Sequence, residues 1–215
     1  MSNFWIITTA LAGYLLGSLP FGYLVAKARG VDIFKEGSGN PGATNVKRVL
    51  GKKAGHTVLG LDIVKGAIAT GWPLLPFVET THQQVLGLIG VIAAVLGHSF
   101  SIFTRFKGGK GVATAAGGLL VLMPVACLIA GGTWVVTFYA SRFASLASIF
   151  GAVAVIIAAW LVPYHVSLSV IATVIGAFVI LRHYANIGRL LKGTENRFGK
   201  KPAGAAGETK PPAQP

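Results

Sequence analysis

The stretch from Phe143 to Leu181 contains no Lys, Arg, Asp or Glu. Water does not tolerate such a run on a monomeric surface, whereas a hydrocarbon core about 30 Å thick requires one. Phe4 to Ala26 and Gln84 to Phe103 are equally free of charged residues. The backbone polar groups of a span must be satisfied without water, and a helix does this within one segment. The chain is therefore expected to be all-α, a polytopic transmembrane helix bundle.

Charge statistics agree with this class. Charged residues make up 12% of the chain, against about 25% in soluble globular proteins, and the mean hydropathy is +0.67. The remaining charges are lopsided, 19 Lys and Arg against 6 Asp and Glu. A basic chain can indicate nucleic acid. In an apolar chain the better reading is a basic cytoplasmic face, so no nucleic-acid partner is expected, and substrates that carry phosphate would favour such a face. A single cysteine, Cys127, cannot build a disulfide framework or a thiolate metal site. No His/Glu/Asp cluster reads as a metal site, so metal is expected to be absent. No Lys or Arg precedes the first apolar run, so a retained helix is expected there rather than a signal peptide.

The remaining apolar segments are Thr57 to Phe77, interrupted by Asp62 and Lys65, then Ala144 to Val162 and Val166 to Leu181, parted by Pro163. A short acidic link holds Glu79, and a basic loop runs from Thr104 to Gly111. Val112 to Ala140 is long for one helix and short for two, with Pro124 and the pair Gly131-Gly132 inside it. If it crosses twice, all the basic segments share one side. Lys27 to Lys53 then brings seven Lys or Arg, residues 104–111 three, Arg142 one, and Arg182 to Lys210 seven. So one-sided a distribution favours about seven spans, with short or broken helices in the middle, the N-terminus outside and the C-terminus inside. Residues 1–198 are expected to form a single transmembrane helical domain. Residues 199–215, rich in Pro, Ala and Gly, are expected to be a disordered tail.

Three polar segments carry the candidate chemistry. The first is Gly37-Ser38-Gly39-Asn40-Pro41-Gly42-Ala43-Thr44-Asn45, followed by Lys47 and Arg48. Its glycines permit tight turns and close approach of a ligand to main-chain N–H groups, which can line an anion-binding nest. Arg48 could clamp a phosphate with two parallel bonds. The loop is not a Walker A motif, because Ala43 stands where that motif needs lysine. The second is Phe106-Lys107-Gly108-Gly109-Lys110-Gly111, at the mouth of an apolar helix. A helix N-terminus attracts anions, although lysines in this place also serve simply to snorkel. The third runs from Arg182 to Leu190. If the last helix continues inward, Arg182, His183, Asn186 and Arg189 fall on one face; a basic helix resting on anionic lipid has the same pattern. Within the membrane, Asp62 and Lys65 are spaced for a mutual ion pair or a functional role. His98, near a helix end, reads more readily as structural than as a base.

Taken in order, these segments resemble the bacterial acyl-phosphate:glycerol-3-phosphate acyltransferase family. The matching stretches are Gly37 to Arg48, Leu61-Asp62 with Lys65-Gly66, His98 with Phe106 to Thr114, and Arg182 to Glu195. Two positions depart from the pattern: Ser101 stands where the family often has proline, and Tyr184 where a basic residue is common. The resemblance implies a multi-pass enzyme of the bacterial cytoplasmic (inner) membrane with its active site towards the cytoplasm. It implies transfer of a fatty acyl group from acyl phosphate to the 1-hydroxyl of sn-glycerol 3-phosphate, giving lysophosphatidic acid and phosphate. The implied partners are those two substrates, membrane lipid, and the enzyme that makes acyl phosphate; no cofactor is implied.

By the resemblance, Ser38, Arg48, Lys107, His183 and Asn186 match substrate-binding or essential positions. His183 and Ser38 are the catalytic candidates. Candidates for substrate binding also include Gly39, Asn40, Gly42, Thr44 and Asn45 in the first segment, Gly108, Gly109 and Lys110 in the second, and Arg189 in the third. Acyl phosphate is a mixed anhydride and already activated, so positioning and charge stabilisation suffice without an acyl-enzyme. Other acyltransferase signatures are missing: His56 and Asp62 do not make His-x4-Asp, and Ser38 lies in Gly-Ser-Gly rather than a nucleophile elbow. Two readings from other classes use the same basic segments: a transporter of an organic phosphate, and a non-enzymatic protein that binds anionic lipid.

Overall fold

A computed structural model describes residues 3–76, 78 and 81–199, and among these every regular element is helical. The expected disordered tail lies outside the described residues from position 200 onward, as does Glu79. The chain opens with α1 (Asn3–Ser18) and α2 (Phe21–Lys27), parted at Leu19-Pro20. Proline cannot continue the helical ladder, and carbonyls freed in a membrane need other donors. Two distant side chains supply them: Ser101 Oγ donates to the Ser18 carbonyl at 2.6 Å, and Lys65 Nζ to the Leu19 carbonyl at 2.8 Å. Ser101, a departure from the family pattern, thus does a structural job here.

A loop leads to α3 (Ala43–Leu50) and α4 (Lys52–Gly71), which ends in a 3-10 turn, Trp72–Leu74. Next come α5 (Gln83–Ser99), a second 3-10 turn at Ile102–Thr104, α6 (Val112–Leu122) and α7 (Pro124–Ser141). The awkward apolar stretch is therefore two helices, broken at Met123 (φ −141°, ψ 62°) with Pro124 opening α7. The chain ends with α8 (Ala144–Leu161), α9 (Val166–Arg182) and α10 (Tyr184–Leu191), the last two meeting at 55°.

Helices approach closely where glycine removes the side chain, the usual device of membrane bundles. On α4 and α6 the contact is reciprocal: a Cβ on Gly66 would lie 2.0 Å from the Thr114 carbonyl oxygen, and one on Gly117 would lie 1.9 Å from that of Ile63. Outward faces are apolar, with Leu128 67%, Val136 70% and Leu161 79% exposed, a surface suited to lipid.

Among the described residues, length and apolarity alone qualify four segments as spans: Asn3–Lys27, Gln83–Thr104, Pro124–Ser141 and Ala144–Leu161. The bent pair α9–α10 makes a fifth. Seven crossings need α4 and α6 as well. The 11 residues of α6 rise only about 16 Å, roughly half the hydrocarbon thickness.

Candidate active site

One cavity of about 340 Å³ brings the three polar segments together. Ser38, Asn40, Gly42, Thr44, Asn45 and Arg48 line it from the first segment, Lys110 from the second, and His183 and Asn186 from the third. Between α6, α7, α8 and α9 the lining turns apolar, with Leu119, Cys127, Val155 and Ile175. A cationic mouth thus opens into an arm that suits a hydrocarbon chain.

The first segment is shaped from within by Asn45, a buried residue of α3. Its Nδ2 donates to the Glu36 carbonyl at 2.9 Å; its Oδ1 accepts from the Ser38 N–H at 2.9 Å and from Arg48 Nη1 at 3.1 Å. A Cβ on Gly37 (φ 61°) would meet that Oδ1 at 2.3 Å, so only glycine allows the turn. Asn45, expected as a substrate ligand, has both polar atoms engaged in holding the loop. Asn40 does similar work, its Oδ1 accepting from the Gly42 N–H at 2.9 Å. Gly39 turns the chain past the Phe34 carbonyl and is not among the lining residues. Arg48 is fixed twice, by Asn45 and by the Phe198 ring, whose centroid lies 5.3 Å from the guanidinium carbon.

The second segment divides. Lys110 donates to Asn186 Oδ1 inside the cavity. Lys107 is exposed and lines an adjoining water-sized recess with Lys65, Asp62 and His98, the last two bordering the main cavity as well. Gly108 and Gly109 lie against the end of α5, where a Cβ on either would be 2.1 Å from an atom of His98.

The third segment does not continue as one straight helix. Its backbone turns at His183 (φ −98°, ψ 9°), and α10 starts in a new direction. The bend keeps His183, 3% exposed, and Asn186 on the cavity while freeing the two arginines for other partners. Arg182 Nη2 donates to the Gly109 carbonyl at 3.0 Å, and Arg189 Nε to Glu195 Oε2 at 2.7 Å. The His183 Nδ1 lies 2.7 Å from the Val179 carbonyl. A carbonyl can only accept, so Nδ1 carries the hydrogen, and in the neutral ring Nε2 keeps its lone pair.

Glu195 was not among the candidates from sequence, yet it organises the mouth. It accepts from Asn186 Nδ2 at 2.7 Å, Ser145 Oγ at 2.9 Å and Arg189 Nε. Burial pushes its carboxyl up, but these hydrogen bonds outweigh burial and hold it below the ordinary carboxylate value. A signal was available: the sequence has no Asp or Glu between Glu79 and Glu195. A cluster of cations on one face needs a counter-charge, and few carboxylates could supply it.

Lys110 sits in a more demanding place. Burial, above all, and the charges of Arg189, Arg182 and Arg48 lower its pKa to about 8, with Glu195 opposing. Below that value the ammonium is present and can bind an anion; above it the charge is lost. Affinity for inorganic phosphate, titrated calorimetrically, should therefore fall as pH rises through about 8. In Lys110→Arg, whose guanidinium stays charged, this decline should vanish. An unchanged decline in that variant would assign it to another group.

Fold and site together define a multi-pass membrane protein whose cationic pocket opens into an apolar arm. The family model for glycerol-3-phosphate acyltransferase matches residues 7–193. A glycerol-3-phosphate acyltransferase of Desulforamulus reducens is 43% identical over 202 residues, 94% of this chain and 99% of the relative. A crystal structure of an integral membrane glycerol 3-phosphate acyltransferase in its glycerol 3-phosphate form superposes with a TM-score of 0.84. It is 42% identical and covers 90% of this chain and 96% of its own. The lysophosphatidic acid form of such an enzyme gives a TM-score of 0.81, at 42% identity, with 90% and 95% covered. This chain belongs to the glycerol-3-phosphate acyltransferase family.

Proposed function

We propose that this protein transfers a fatty acyl group from acyl phosphate to the 1-hydroxyl of sn-glycerol 3-phosphate, producing lysophosphatidic acid and phosphate. The observation that carries the reading is the two-ended cavity, with Arg48, Lys110 and His183 at one end and an apolar arm at the other. Both substrates bring a phosphate to the first end, and the acyl tail occupies the second.

The hydroxyl attacks the acyl carbon, the ester bond forms, and the acyl–phosphate bond breaks. Net, the hydroxyl proton leaves on the phosphate product, so no cofactor and no acyl-enzyme are needed. The Nε2 lone pair of His183 accepts the hydrogen bond of the attacking hydroxyl and orients it. Arg48 and Lys110 stabilise phosphate charge, and Ser38 and Asn186 complete the hydrogen-bonding rim. Lys107, on the adjoining recess, adds positive potential at the approach.

Placement follows from charge. The basic segments surround the mouth of the cavity, which supports a cytoplasmic site in the bacterial cytoplasmic membrane, with the N-terminus outside. An enzyme that makes acyl phosphate is then the natural supplier on that side.

The test is an assay on sided membrane vesicles holding the protein. Palmitoyl phosphate and radiolabelled glycerol 3-phosphate are added outside, with palmitoyl-CoA as a parallel donor. Inside-out vesicles should yield labelled lysophosphatidic acid from the acyl phosphate alone, and right-side-out vesicles should not. Product from the CoA ester alone would replace the donor, the opposite sidedness would reverse the orientation, and no product from either would overturn the reading.

A further inference from the structure

Beneath the phosphate-binding end lies a cluster of ionisable groups that the acyl-transfer scheme does not use. Lys65 Nζ sits 2.9 Å from Asp62 Oδ1, and His98 Nδ1 lies 3.5 Å from the same oxygen. The side chains are 3%, 2% and 10% exposed. As an element of stability alone, a buried ion pair is a poor choice, because apolar side chains of similar volume often serve as well or better. Inside a membrane the cost of ionisable groups is a further reason to ask what they do.

Their contacts lead to the site. His98 lies in the last turn of α5, and its carbonyl accepts from the Gly109 N–H at 3.0 Å. The Nε2 edge of its ring is where a Cβ on Gly109 would fall, at 2.1 Å, and a Cβ on Gly108 would meet the His98 carbonyl at 2.1 Å. The glycine turn therefore rests directly on His98, with no side chain between. The Gly109 carbonyl in turn holds Arg182, and the next residue, Lys110, enters the cavity beside Asn186. Asp62 holds the other edge of the imidazole, and Lys65, anchored on the Leu19 carbonyl, holds Asp62.

We propose that Asp62, Lys65 and His98 form a positioning cluster that fixes the Gly108-Gly109 turn, and through it Lys110, where the phosphate of the substrate binds. Asp62 and His98 reach the wall of the cavity, but the role assigned to the cluster is support rather than chemistry. It acts on affinity by keeping a flexible glycine turn in one conformation. The substrate class rests on the acyltransferase reading above.

The experiment measures the dissociation constant for glycerol 3-phosphate on purified protein in lipid, together with KM, kcat and the unfolding midpoint. His98→Ala should weaken binding and raise KM about tenfold or more, with kcat changed less than about threefold and the midpoint held. His98→Asn keeps an N–H at the position of Nδ1 for Asp62 and should recover most of the affinity. Should His98→Ala fail to fold, the pair Asp62→Asn/Lys65→Met removes the ionisable anchor without leaving a lone buried charge, and should show the same loss of affinity.

Wild-type affinity in both of these would overturn the proposal. So would a loss of binding that tracks a fall in the midpoint and is not restored by His98→Asn, which would make the cluster merely structural. A fall in kcat at unchanged affinity would move His98 into the chemistry instead. A wild-type protein that binds glycerol 3-phosphate but transfers no acyl group would sink the acyltransferase reading alone, since positioning is still read from binding.

Discussion

Arg48→Ala is expected to lower kcat/KM for glycerol 3-phosphate by about 10²–10³, the effect of losing one preorganised charge-stabilising group. Arg48 lines the cavity, and its guanidinium is held by Asn45 Oδ1 at 3.1 Å and by the face of Phe198. It is thus in place before substrate arrives, and little energy is lost in orienting it. Arg48→Lys should recover little, because an ammonium has neither the planar fork nor the stacking surface. The fold should survive either change, since Asn45 keeps its bonds to Glu36 and Ser38. Steady-state kinetics beside thermal unfolding decide the matter. Activity within about tenfold of wild type in Arg48→Ala would remove this residue from the phosphate site.

Gly117→Ala should have the largest effect on stability. The added methyl would sit 1.9 Å from the Ile63 carbonyl oxygen. That atom belongs to the backbone of α4 and cannot rotate away, so the two helices must part. Overpacking of a core costs about 1–3 kcal/mol, and a backbone neighbour puts this case at the upper end. A fall in the unfolding midpoint on the order of 10 °C follows. Activity should fall too, because α6 begins directly after Lys110 and Gly111. Gly60→Ala, on the same α4 but with nothing near its Cβ, is the control. It should be neutral or slightly stabilising, by up to about 1 kcal/mol of helix propensity. Equal midpoints for the two variants would mean that the α4–α6 contact is not tight.

Much of the site could be read from residue order. Glycines, small polar groups and cations recur in three segments, and these segments do meet at one cavity. The roles within them were harder to read. Asn45 and Arg48 are polar residues three apart in one segment and both line the cavity, and only the structure shows that Asn45 also ties the loop together through Glu36 and Ser38. Lys107 and Lys110 look equivalent in sequence, yet the glycine turn sends one to the surface and the other inward. The bend at His183 has no proline or glycine to announce it. Spacing alone put Arg182 and Arg189 on one face, where the structure gives them different partners. For Val112 to Ala140, composition left one or two helices open. The break at Met123 decides it, and Pro124, which suits the first position of a helix, is its local cause.

Glu195 has a bearing on how the protein is made. Synthesis runs from the N-terminus, so Arg48, Lys110 and Arg189 are all made before the carboxylate that binds Arg189, Asn186 and Ser145 together. Until that residue emerges, the mouth is a set of mutually repelling cations with no common partner. Formation of the helices and assembly of the site are therefore separable, and a released chain ending at residue 194 would keep α1 to α10 yet lack the counter-charge of its cationic mouth.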